Sequence, residues 1–89
     1  MTITLEISLY PLQEDYESLV ISFIQNLKKH SSIEVVTNAM STQLKGDYVE
    51  VMDILKKELE PICNQDGAIS TVIKIVNKPL DIEKGMLEF

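Results

Sequence analysis

Ile3-Thr4-Leu5-Glu6-Ile7-Ser8-Leu9-Tyr10-Pro11 is the stretch from which the fold is read. Apolar residues stand at 3, 5, 7 and 9, and Thr4, Glu6, Ser8 and Tyr10 alternate with them. A period of two sends successive side chains to opposite faces of a strand, so one face of this segment belongs in a core and the other does not. Pro11 has no N–H for a ladder and ends the strand.

Downstream, Tyr16, Leu19, Val20, Phe23, Ile24 and Leu27 recur at helical spacing and draw one apolar stripe. Asp15 and Glu17 near its start and Lys28, Lys29 and His30 near its end suit the helix dipole. Ile33 to Thr37 is rich in β-branched residues and predicts a second strand. Asn38-Ala39-Met40-Ser41 predicts a turn, Thr42 to Lys45 a third strand, and Gly46-Asp47 a break. Asp47 with Glu50 three residues later resembles a capping box, and Tyr48, Val51, Met52, Leu55, Leu59 and Ile62 follow as a second helical stripe ending near Pro61. After the loop Asn64–Gly67, Ala68 to Val76 predicts a fourth strand. The tail from 77 to 89 contains Pro79 and Gly85 and predicts at most a short irregular helix.

The order is β-α-β-β-α-β in one domain spanning 1–89, with 79–89 as its tail. It predicts an α+β, ferredoxin-like fold: a four-stranded antiparallel sheet with two helices on one face. Right-handed crossovers set the first strand between the third and the fourth. The helices then cover only one side of the sheet, and the other meets solvent, a ligand or another subunit.

With Ile3, Leu5, Ile7 and Leu9 against the helices, Glu6, Ser8 and Tyr10 point to the open side. In the fourth strand Thr71, Ile73 and Ile75 are expected to face in, leaving Ser70, Val72, Lys74 and Val76 out; Leu44 facing in puts Ser41 and Gln43 out. Apolar walls around a few polar groups are what small-molecule sites usually show, and also what a wet subunit interface shows. Two readings of Glu6 stand open: a cross-strand ion pair with Lys74, or an acceptor for an amino-heterocycle and counter-charge for a cationic ring.

Composition narrows the function classes. Hydrophobic residues make up 45% and charged residues 25%, an ordinary globular mixture. Fourteen acidic residues against eight basic ones give a net charge of −6, and every basic residue is a lysine. Such a domain repels a phosphate backbone and lacks the arginine favoured for reading it, so no nucleic-acid partner is expected. No apolar run reaches membrane-spanning length and the first residues alternate instead of forming a signal core, so no membrane insertion and a cytoplasmic location are expected. A single cysteine supplies neither an internal disulfide nor a multi-cysteine metal site, and Cys63 is expected to be a buried small hydrophobe.

Catalytic machinery is hard to assemble from these residues. His30 is the single histidine and stands beside two lysines, the place of a solvated helix-terminal cation. Met40 and Met52 are expected to be packing residues. Gly46, Gly67 and Gly85 are isolated and build no phosphate loop. The third strand, Thr42-Gln43-Leu44-Lys45, offers no ring for base stacking. An enzyme is therefore not expected.

Two segments, Glu6-Ile7-Ser8-Leu9-Tyr10-Pro11-Leu12 and Thr37-Asn38-Ala39-Met40-Ser41-Thr42-Gln43-Leu44-Lys45-Gly46-Asp47, resemble the thiamine/hydroxymethylpyrimidine-binding YkoF-like family. The resemblance spans roughly Ile3 to Val76. It implies a ferredoxin-like fold without enzymatic activity, and binding of thiamine or its pyrimidine precursor near the sheet and a subunit interface. The vitamin would be a ligand, and no cofactor is implied. Carried over by position, Glu6, Ser8, Thr37, Asn38, Met40, Ser41 and Thr42 are the candidate site residues, with Tyr10 placed for ring stacking. Because the chain holds one such unit, the resemblance suggests a homodimer or homotetramer. The leading expectation is a non-enzymatic binding protein for transport, storage or sensing. An assembly module without a ligand is the alternative, and a sensor of another metabolite ranks behind it.

Overall fold

In the computed structural model of the chain, which describes residues 1–12 and 17–83, the elements run β1 (Thr2–Pro11), α1 (Glu17–Lys28), β2 (Glu34–Thr37), β3 (Thr42–Asp47), α2 (Tyr48–Cys63) and β4 (Ile69–Val76). The sheet is antiparallel at every pairing, in the order β2-β3-β1-β4. The fold is thus the α+β, ferredoxin-like arrangement expected, with β1 inside it. Asp15 and Tyr16, read as part of the first helix, and Gly85 of the tail lie outside the described residues.

Alternation along β1 is what builds the core. Ile3, Leu5 and Ile7 are fully buried and pack with Phe23 and Leu27 of α1, Leu44 of β3, and Val51, Ile54, Leu55 and Ile62 of α2. Leu5 stands opposite Leu44 on β3, and each such side chain contributes about 2 kcal/mol on leaving water. At the sheet's other end, Gly46 does not break β3 as the sequence predicts. The strand runs through it to Asp47, and glycine is required because a Cβ there would meet Cγ2 of Ile33 at 3.0 Å. Asp47 then caps α2 directly, its carboxylate accepting from the Glu50 N–H at 3.4 Å.

The uncovered face is not wholly bare. Residues 77–83 form no helix; they turn back across the sheet at Thr4. The Thr4 hydroxyl donates to the Lys78 carbonyl and accepts from the Leu80 N–H, both at 2.9 Å. Ile82 is consequently only 8% exposed, and Thr4, a polar residue on the outward face, is buried.

Several expectations need correction. Ile73 and Ile75 share the helix-side parity of Ile7 and Leu5, as read from the sequence, yet are 42% and 45% exposed because β4 is an edge strand beyond the reach of α1 and α2. Cys63 is exposed, being the last helical residue and about 100° round from buried Ile62. Met40, at 84% exposure, sits on the turn between β2 and β3 and takes no part in the core, whereas Met52 does pack against it. Tyr48, the first residue of α2, is also exposed. His30 is not left in solvent at the helix end: its Nε2 lies 3.5 Å from Oε2 of Glu58, both side chains mostly shielded, so it ties the end of α1 to α2.

Replacing Thr4 with valine tests the tail contact. With no oxygen to accept it, the Leu80 amide is expected to exchange with solvent about tenfold faster, the effect of losing one hydrogen bond. Unchanged exchange at Leu80 would mean that the tail is held by apolar packing alone.

Candidate functional site

The two ladders that hold β1 have different lengths. Pairing with β3 ends at Ile7 opposite Thr42, whereas pairing with β4 runs on to Pro11 opposite Ile69. Ser8 to Pro11 therefore have a strand on one side only. On the other side the chain has already turned from β2 to β3, and α1 lies above. The space left between them is a cleft of about 260 Å³.

Seven of the eight candidate residues line this cleft. Ser8 and Tyr10 come from β1, and Thr37, Asn38, Met40, Ser41 and Thr42 from the turn. They do not share a sheet face. Thr42 pairs with Ile7 and Thr37 with Thr42, so both threonines have the helix-side parity, whereas Ser8 and Tyr10 have the outward one. What unites them is position at the end of the sheet. Ile7, Leu9, Val20 and Ile24 supply the apolar wall. Val20 and Ile24 belong to the apolar stripe of α1 yet are half-buried; among the described residues of that stripe, Phe23 and Leu27 alone are fully buried.

The turn is shaped by its own polar groups. Asn38 Oδ1 accepts from the N–H groups of Met40 and Ser41 at 2.9 and 3.1 Å, and the Asn38 N–H donates to the Ser41 carbonyl at 3.1 Å. This Asx turn supplies locally the bonds that a strand would find across a ladder. Thr37 and Thr42 hydroxyls meet at 3.0 Å and close the hairpin behind it.

Glu6 is the candidate that does not reach the cleft. It stands directly opposite Lys74, with Oε1 3.8 Å from the ammonium, and its Oε2 accepts from the Ser41 hydroxyl at 2.8 Å. Ser41 in turn accepts from Gln43 Nε2 at 2.6 Å, and Gln43 Oε1 faces Asn38 Nδ2 at 3.4 Å. The carboxylate is thus one hydrogen bond behind the cleft, joined to it through Ser41. It borders a second hollow of about 160 Å³, shared with Thr4, Gln43, Lys74 and the tail residues Leu80 and Ile82. Among the described residues no three His, Cys, Asp or Glu side chains gather as metal ligands, and no helix is long and apolar enough to cross a membrane.

An antiparallel four-stranded sheet with two helices on one face and a cleft at the end of its inner strand define a ferredoxin-like α+β protein. The chain belongs to the YkoF-related family, whose family model matches residues 2–78. Among solved structures it is similar to a hypothetical protein from Methanocaldococcus jannascii at 28% identity and a TM-score of 0.73, with 94% of this chain and 91% of that one covered. It is also similar to a protein from Streptococcus pneumoniae at 25% identity and a TM-score of 0.74, covering 96% and 97%. A candidate thiamine biosynthesis/salvage protein from Thermotoga maritima shares the fold at 19% identity and a TM-score of 0.73, covering 96% and 95%. No curated protein matches the chain.

Ser41→Ala removes both the donor to Glu6 and the acceptor of Gln43. A loss of about 1 kcal/mol in urea unfolding is expected, because the groups left behind are only partly shielded. Stability equal to that of the unaltered protein would show that the Gln43–Ser41–Glu6 relay contributes nothing to the turn.

Proposed function

We propose that this protein binds thiamine or its hydroxymethylpyrimidine precursor in the cleft at the end of β1, performs no chemistry on it, and acts in cytoplasmic transport, storage or sensing. The observation that carries this reading is the gathering of hydroxyl, amide and phenol groups from Ser8, Tyr10, Asn38 and Ser41 against the apolar wall of Ile7, Val20 and Ile24. Small-molecule sites combine these two elements, and a cleft of about 260 Å³ suits a ligand of one or two rings. Net negative charge favours a ligand carrying a cationic thiazolium. Family membership and the likeness to a candidate thiamine biosynthesis/salvage protein support the vitamin class. The absence of chemistry is supported by His30, the chain's one imidazole, which pairs with Glu58 and does not line the cleft.

Calorimetric titration with thiamine and with 4-amino-5-hydroxymethyl-2-methylpyrimidine tests the reading. Heat of binding is expected for at least one of them. It should disappear in Val20→Trp, whose indole fills the cleft from its half-buried wall, while the thermal midpoint stays within a few degrees. Silence from both compounds, or full binding by the tryptophan variant, would refute it.

A second reading concerns assembly, and β4 favours it. Val72, Ile73 and Ile75 leave apolar surface on both faces of an edge strand, the kind of patch and edge that is ordinarily covered. In this reading the protein is a dimer or tetramer joined through β4. Sedimentation velocity should show an oligomer that Ile73→Lys converts to monomer. A monomeric parent protein would remove the assembly reading.

A further inference from the structure

The direction of hydrogen bonding along β1 can be fixed from both of its edges. On the β3 side, the register that sets Thr2 opposite Asp47 continues to Met1 opposite Tyr48, and the Tyr48 N–H donates to the Met1 carbonyl at 2.8 Å. On the β4 side, Pro11 opposite Ile69 continues to Leu12 opposite Ala68, and the Leu12 N–H donates to the Ala68 carbonyl at 2.8 Å. In an antiparallel ladder a residue sends its N–H and C=O to one side and its neighbour sends both to the other. Odd-numbered residues of β1 therefore serve β3 and even-numbered residues serve β4. Both edges give this answer, and the registers between them are unbroken, which leaves no bulge to reverse it.

Leu9 is the first odd residue beyond the end of the β3 ladder. Continued past Ile7 and Thr42, the register would give it Met40, but Met40 has left the strand and its N–H is taken by Asn38 Oδ1. The main-chain N–H and C=O of Leu9 thus point to the turn side of the cleft, and among the described residues neither finds a partner. Leu9 itself is half-buried and lines the cleft. Main-chain groups in such a place are normally paired, so an adjacent donor and acceptor left over at a concave wall point to something that completes them.

We propose that the Leu9 N–H and C=O are the recognition pair of the cleft, taking a flat ligand edge on which an acceptor stands beside a donor. A ring nitrogen next to an exocyclic amino group, as in a 4-aminopyrimidine, has that pattern. The inference rests on the small-molecule reading above and names the chemical edge that is read. A peptide strand is a poorer occupant, because the open stretch offers a single complete pair: Ile7 is already bonded to β3, and Pro11, next on the same edge, has no N–H to give. Ile7, Val20 and Ile24 then flank the ring, while the backbone selects its edge.

Amide exchange and chemical shifts in the ¹⁵N-labelled full chain test this. In the free protein the Leu9 amide should exchange at least about tenfold faster than those of Leu5 and Ile7, which serve the ladder. Addition of 4-amino-5-hydroxymethyl-2-methylpyrimidine should shift and protect the Leu9 amide. Its 4-dimethylamino counterpart, which lacks the donor, should bind about ten- to hundredfold more weakly. A Leu9 amide already protected without ligand overturns the proposal. So does tight binding of the aminopyrimidine with Leu9 undisturbed, an outcome that leaves the vitamin-binding function standing. If thiamine and the pyrimidine fail to bind but cytosine, with the same acceptor–donor edge, protects Leu9, the recognition pair stands and the vitamin reading falls. Failure of all of these compounds to reach Leu9 overturns it as well.

Discussion

The unequal grip on β1 governs this domain. The strand is held on one edge from Thr2 to Ile7 and on the other from Thr4 to Pro11, so its middle is locked into the sheet and its last residues are supported from one side only. The locked part carries Ile3, Leu5 and Ile7 into the core and fixes where both helices must lie. The half-supported part faces the turn between β2 and β3 across a gap that neither strand nor helix fills. Scaffold and cleft are therefore one feature: had β3 continued to pair for two more residues, the hollow would be a ladder.

Much of this was legible in the chain, because the decisive signals are local. A strict period of two over eight residues specifies a strand and its inner face, and the two helical stripes and the Asn38 turn are equally short-range. The candidate residues from Ser8 to Thr42 converge for the same reason, each lying at the end of a segment whose type was evident. What escaped depends on distances between elements. Nothing near Ile73 and Ile75 tells that the helices stop short of β4, so apolar residues of correct parity end up exposed. Gly46 looks like a break until Ile33 is seen lying against it. Cys63 and Met40 fail similarly, since burial at a helix end or a turn is decided by whatever covers it.

Glu6 illustrates how two readings of one residue can both be physical. It pairs across the sheet with Lys74, as a surface carboxylate on a central strand ordinarily does. It also accepts from Ser41, which lines the cleft. At this partly exposed position the ion pair is worth little by itself. Its greater consequence is orientation, since it holds the carboxylate where Ser41 can donate to it.

The tie between Thr4 and the tail bears on how such a molecule comes into being. Thr4 meets Val76 across the sheet and Lys78 through its hydroxyl, contacts that span 74 residues in the second case. The inner strand thus precedes every other element of the sheet in chain order and is completed last, after both helices and the β2–β3 hairpin have had time to form. Closing so long a loop adds only about 0.6 kcal/mol for each doubling of its length, but topology of this kind slows folding. Until β4 arrives, the main-chain groups along that edge of β1 have no strand to pair with, and capture of the edge by another nascent chain is the misassembly to which this order of events is most exposed.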